Sequence, residues 1–305
     1  MLIFFRKYIG FSYSSKASLR KAIFIILLLS VFVSKVFAQF SYGTTGLLDM
    51  PTAEMQSDKT FMFGGSYLEK HATPARWYYN TFNYYANITI LPWLEVSYTL
   101  TLFKAMEGER WVPSTYGKFV NQDREVNIRF RVWKEGQWKW WMPQIVLGSM
   151  DFLHSFSESK LALPTNEGNG FYSRVYGVAT KHFAFQGIGE FGAHVAYLWN
   201  QRVDWPFNAP AFGANMRFSL NPQEGNIPWW KIVNGMNLMA EFTPANNGGV
   251  NRVKKGDPGR GLHLGIYDIN VGGSYTFWQD HVNLYAELYG CRYFSGGLQF
   301  KIHLR

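Results

Sequence analysis

Cysteine is almost missing from this chain. Among 305 residues only Cys291 carries a thiol, which excludes a disulfide framework within the chain. Cys291 also stands too late in the sequence to be a lipid-anchored N-terminus. Charge is scarce as well, at 17% against about 25% in soluble domains. After residue 38 there is no long apolar run, so nothing there crosses a bilayer as a helix, which needs about 20 apolar residues. Metal-ligand spacing is lacking too: His71, His182, His194, His263, His281 and His303 are scattered singly.

Cofactor and catalytic motifs are equally thin. Gly187-Ile188-Gly189-Glu190-Phe191-Gly192 spells the dinucleotide pattern G-x-G-x-x-G, but that pattern needs a helix behind it and here a strand-like run follows. Asn87-Ile88-Thr89 is a glycosylation sequon by spelling, inside another strand-like run. His154-Ser155, flanked by Asp151 and Glu158, pairs a nucleophile type with a base type, yet adjacency in a loop does not make a catalytic pair. The expectation is no catalytic residue, no metal and no cofactor.

What is present begins with the first 38 residues. Arg6, Lys7, Lys16, Arg20, Lys21 and Lys35 occur there without any Asp or Glu. An apolar run at 22–33 follows, then Val36-Phe37-Ala38 before Gln39. This order reads as a secretory signal peptide, 1–38, cut between Ala38 and Gln39. The alternative, a membrane anchor, lacks the length. The leader holds six of the 30 Lys and Arg and none of the 21 Asp and Glu, so its removal takes the net charge from +9 to +3. The basic balance therefore makes no case for a nucleic-acid partner. Residues 39–305 are expected to form one domain, with 39–59 a turn-rich lead-in where Gly43, Gly46 and Pro51 oppose helix.

Beyond the lead-in the dominant signal is alternation with period two. In 94–102 the apolar set Leu94, Val96, Tyr98, Leu100 and Leu102 alternates with Glu95, Ser97, Thr99 and Thr101. In 125–132, Val126, Ile128, Phe130 and Val132 alternate with Glu125, Asn127, Arg129 and Arg131. Runs at 212–220, 282–288 and 298–304 repeat the pattern. Strands are expected near 60–68, 79–90, 93–104, 122–133, 142–152, 170–182, 188–199, 209–220, 235–244, 262–277, 281–290 and 293–304. Their length suits a tilted strand crossing a membrane, about 9–11 residues, better than the usual five or six of soluble strands.

Connections alternate between long linkers (105–121, 153–169, 245–261) and tight turns, such as Leu91-Pro92 and Glu135-Gly136. Outer loops and periplasmic turns have that contrast. The segment 221–234 is long for a turn, and 291–292 is short for a loop. The 12 tryptophans avoid strand centres. Trp93, Trp133, Trp138, Trp140, Trp141, Trp229, Trp230 and Trp278 fall at one set of ends, and Trp77, Trp111, Trp199 and Trp205 at the other, as two interfacial girdles require. The expected fold is all-β: an antiparallel transmembrane β-barrel of twelve strands, with ten or fourteen also compatible. It would lie in the bacterial outer membrane with lipid around it.

The polar faces gather Glu95, Glu125, Arg129, Arg131, Glu190, His194, Arg217, Glu241 and Glu287 as lumen-facing candidates. Two readings fit them equally: a salt-bridged, plugged interior, and a hydrated path for a polar solute. The basic loop at 252–255 (Arg252, Lys254, Lys255) could attract an acidic glycan, or be a solvated charge cluster.

The lead-in contains Gly43, Gly46, Leu47, Pro51 and Ala53 in the spacing G-x-x-G-L-x-x-x-P-x-A. This resembles the start of the YjbH-like family of outer-membrane proteins linked to exopolysaccharide production. The run 143–151 ending in Asp151, the run 172–181 (YSRVYGVATK), Leu238-Met239-Ala240-Glu241-Phe242 and Gly297-Leu298-Gln299-Phe300 resemble later strands of that family. The resemblance implies an accessory role in making, exporting or anchoring a surface polysaccharide, with the polymer and its export machinery as partners. A general diffusion pore or structural barrel is the second reading, and a membrane-embedded enzyme on lipid or glycan the third. Oligomeric state is left open.

Overall fold

The computed structural model describes residues 43–72, 80–104, 119–152, 174–200, 208–222, 229–244, 261–278 and 280–304. The expected signal peptide, His154, Ser155, the basic loop at 252–255, and Trp77, Trp111 and Trp205 lie outside the described residues.

The strands are β1 (Thr60–Leu68), β2 (Thr81–Leu91), β3 (Leu94–Lys104), β4 (Phe119–Trp133), β5 (Gln144–Met150), β6 (Arg174–Phe185), β7 (Gly189–Asn200), β8 (Ala209–Phe218), β9 (Met236–Pro244), the two-residue β10 (His263–Leu264), β11 (Tyr267–Phe277), β12 (Val282–Tyr289) and β13 (Tyr293–His303). The one described helix is α1 (Trp229–Asn234). Each long strand pairs antiparallel with its neighbours, β9 pairs with β11, and β10 is only a short flap on β11. The sheet closes where β1 meets β13, from Thr60 opposite His303 to Tyr67 opposite Gly296. The result is a closed antiparallel barrel of twelve strands. Closure leaves no open edge and satisfies the backbone polar groups between strands.

Alternation sorts the two faces as the sequence pattern predicts. On β3, Glu95, Ser97, Thr99 and Thr101 point inward and are buried, while Tyr98 is exposed. On β12, Tyr285, Glu287 and Tyr289 are buried between exposed Leu284 and Leu288. Leu147, Val195, Phe212, Leu238 and Ile302 add to an outer surface that is apolar around the barrel. A soluble monomer rarely exposes so continuous an apolar surface. At the end where the chain enters β1 and leaves β13, Trp93, Trp138, Trp140, Trp141, Trp229 and Trp278 are exposed, Trp140 at 83%.

One connection differs from expectation, and the two exceptions noted in the sequence, 221–234 and 291–292, gain a structural cause. The Glu135-Gly136 turn is instead the whole of 134–143. That segment folds on itself through Gly136 N–H to Met142 O (3.1 Å) and Met142 N–H to Lys139 O (2.9 Å). The strand behind it can start only after Pro143, which has no N–H to donate. The long 221–234 segment contains α1, and the Asn234 side chain clamps the backbone N–H and C=O of Leu220. The short connection between β12 and β13 is a tight turn in which Gly290 and Cys291 both have positive φ (58° and 51°). That backbone twist matches the flanking strands.

Candidate functional site

The lead-in does not simply precede the barrel; residues 43–56 fold into its lumen and are all buried. A tight turn organises this plug. The Leu47 N–H donates to Met50 O at 2.9 Å, and Gly46 bridges to Pro51. Leu47, Leu48, Met50, Ala53 and Met55 pack against the inner faces of β5 to β9, where Val146, Met150, Tyr176, Val178, Ala196, Leu198, Ala211 and Met239 are buried with them. Full burial of a large apolar side chain is worth about 1.5–3 kcal/mol, so the plug and this half of the wall hold each other. The wall makes room: a Cβ at Gly213 would lie 2.4 Å from Leu47 Cδ1, and one at Gly272 would lie 2.8 Å from Leu48 Cδ2.

Polar groups from the wall fasten the plug's backbone. Glu95 accepts from Thr45 N–H (3.0 Å) and from the Thr45 hydroxyl (2.9 Å), and Asn87 donates to Gly43 O at 2.9 Å. The Arg129 guanidinium donates to Thr45 O (2.6 Å), to Thr52 O and to Glu54 O (3.0 Å), and pairs with Glu95 at 3.2 Å. Glu241 sits beneath the turn and accepts from the consecutive N–H groups of Leu48 (3.2 Å), Asp49 (2.9 Å) and Met50 (3.1 Å), with Asn270 donating to it at 2.9 Å. Successive N–H groups converging on one carboxylate form an anion-binding concavity. Further along, Ala53 N–H donates to the Thr180 hydroxyl at 2.9 Å, and Gln144 donates to Ala53 O.

The plug returns to the rim at Glu54. Its carboxylate meets Arg217 and His182, the latter at 2.8 Å, and His182 also bonds Glu135. Burial alone would raise the Glu54 carboxyl, but the Arg217 charge and the His182 hydrogen bond hold it well below the usual carboxylate range. Asp49, at the tip of the turn, moves the other way. Burial and the neighbouring Glu241 charge push its carboxyl well up. Asp49, Glu241 and Glu287 each bring a carboxylate oxygen within 4.8 Å of the others, all three residues being buried.

The predicted lumen residues thus take different places. Glu95, Arg129 and Glu241 bind the plug directly. Arg217 reaches it through Glu54 and pairs with Glu190 at 3.3 Å. His194 lies one bond further out, linking Thr180 and Asn215 at 2.9 Å each. Glu125 and Glu287 face inward and are buried. Arg131 stands apart: it is half-buried at the tryptophan-rich rim and donates to Pro92 O. Asp151 closes β5 with a positive φ of 53°, its N–H donating to Asn127 at 2.9 Å. Asn87 of the sequon is buried, and Gly187 and Gly189 serve a turn and the start of β7.

Sequence reading missed Asp49, Glu54, Thr45 and Thr180. A usable signal existed in β6 and β7, where Val178 and Leu198 put apolar groups on the inward face. Strands apolar on both faces mark a wall covered from both sides. Beside Arg131, a cleft of about 480 Å³ is lined by Pro92, Trp93, Arg131, Val132, Trp133, Lys134 and Gln137.

A family model described as exopolysaccharide biosynthesis protein YbjH matches residues 38–233. No curated protein matches the chain. Among solved structures, the low-pH structure of Pseudomonas putida OprB matches at 9% identity and a TM-score of 0.25, covering 79% of this chain and 90% of that one. That likeness is too slight to inform fold or role.

Proposed function

The chain belongs to the YjbH family of exopolysaccharide biosynthesis proteins, and from that premise we propose that it is an outer-membrane barrel with an accessory role in producing, exporting or anchoring a surface polysaccharide. The family match over 38–233 is the observation that carries this reading. Outer-membrane residence rests on the closed barrel, its apolar exterior and the tryptophans at its rim. Membrane lipid would cover the wall, and nucleic acid has no place among the partners. The barrel performs no chemical step of its own.

The plug refines the mechanism. Glu95, Arg129 and Glu241 are engaged with residues 45–54, so they are not available to line a hydrated path while the plug is seated. Contact with polymer then shifts to the rim cleft, where Trp93 and Trp133 offer flat apolar faces and Arg131 and Gln137 offer hydrogen bonds. Sugar rings present matching C–H faces and hydroxyls. The same plug speaks against an always-open diffusion pore.

The test is polysaccharide in a clean deletion strain, divided into surface, released and periplasmic pools, with a complemented control. Loss from the surface with periplasmic accumulation is expected for export, and loss from every pool for synthesis. Unchanged pools under conditions where the polymer is made would overturn the proposal. Complementation with Trp93→Ala/Arg131→Ala is expected to restore the barrel but not the polymer.

A further inference from the structure

The tip of the plug buries a carboxylate against two others. Asp49 is 1% exposed, and among the described residues no N–H or hydroxyl donates to either of its oxygens; the group within bonding reach is another carboxyl, Glu287. Asp49 points at Glu241 of β9 and Glu287 of β12, the three offering oxygens within 4.8 Å of one another. Glu241 already accepts from four converging N–H donors, an arrangement that favours its anionic form. Asp268 is a further acidic neighbour of Asp49, and Arg174 a basic one. Carboxyl groups crowd together in a buried interior, and buried charge is kept only where it is paired or coordinates a metal.

We infer that Asp49, Glu241 and Glu287 bind a divalent cation that clamps the plug turn to β9 and β12. The donors are all hard carboxylate oxygens, without the imidazole or thiolate that selects zinc or copper. A spread within 4.8 Å fits oxygens placed about 2.3–2.6 Å from a central calcium. Magnesium gives up its water reluctantly, which makes it the poorer match for a site this buried. A single proton shared between Asp49 and Glu287 would satisfy one oxygen and offset one charge. A divalent ion offsets two and engages all three segments.

The test uses the full chain folded in detergent, with closure of the barrel followed by its heat-dependent gel mobility. After chelator treatment the protein is dialysed against calcium and its metal content measured. Wild type is expected to retain about one calcium per barrel, and Asp49→Asn or Glu287→Gln to bind roughly tenfold more weakly or worse. Calcium is expected to raise the thermal midpoint of wild type and to leave both variants unmoved. Wild type that retains no calcium, or a folded Asp49→Asn barrel that retains as much as wild type, overturns the inference. The first of these outcomes would leave the shared proton.

Discussion

Arg129 and Arg131 sit two residues apart on β4 and face the same way, yet their surroundings differ. Arg129 is fully buried and holds Thr45, Thr52 and Glu54 together with Glu95, whereas Arg131 sits half-buried at the rim. Arg129→Ala leaves the Glu95 carboxylate buried without its counter-charge, and breaking a buried pair in this way costs about 3–5 kcal/mol. Arg131→Ala is expected to cost about 1 kcal/mol or less, as for partly solvated groups. Denaturant titration of the folded barrel compares them, and equal losses would contradict the assignment. Glu54 supplies a pH prediction. Its carboxyl is depressed in the folded state, so its stabilising contribution is present above the unfolded value and lost as pH falls towards the folded one. The stability gap between wild type and Glu54→Gln should be positive at neutral pH and shrink below about pH 4. A gap that widens on acidification would reverse the sign argued here.

At the level of elements, the plug and the apolar half of the wall depend on each other. Gly213→Val puts a branched side chain where Leu47 Cδ1 now lies 2.4 Å from the missing Cβ. The wall strand can tolerate valine, so the plug is the part that must move. Faster limited proteolysis within 43–56, with barrel closure retained, is the expected result. Deleting 43–56 removes the filling and should raise single-channel conductance in planar bilayers well above that of wild type. A deletion barrel that closes normally but conducts no more than wild type would show that other segments block the lumen. The strands themselves were legible in advance, because period-two alternation directly records which side chains face lipid and which face inward. Connections were less so. Pro143 and the internal bonds of 134–143 turned an expected tight turn into a folded segment, and no period marks α1.

On the scale of the whole molecule, closure of β1 on β13 and the apolar exterior set the environment the protein needs. Mixing the unfolded chain with lipid vesicles is expected to give a protease-resistant barrel with heat-dependent gel mobility, and mixing without lipid or detergent to give aggregate. Soluble, folded protein in plain buffer would refute the membrane reading. The sequence by itself determined the antiparallel barrel, its strand positions and the sorting of its faces, since these follow from local alternation and turn chemistry. Only the tertiary structure decided between a hydrated path and a filled interior. The two arrangements place the same polar groups on the same strands. What separates them is whether Glu95, Arg129 and Glu241 face water or meet the N–H and C=O groups of the plug. Those partners lie 50, 84 and 192 residues away along the chain, and no periodicity within one strand encodes a contact at that distance.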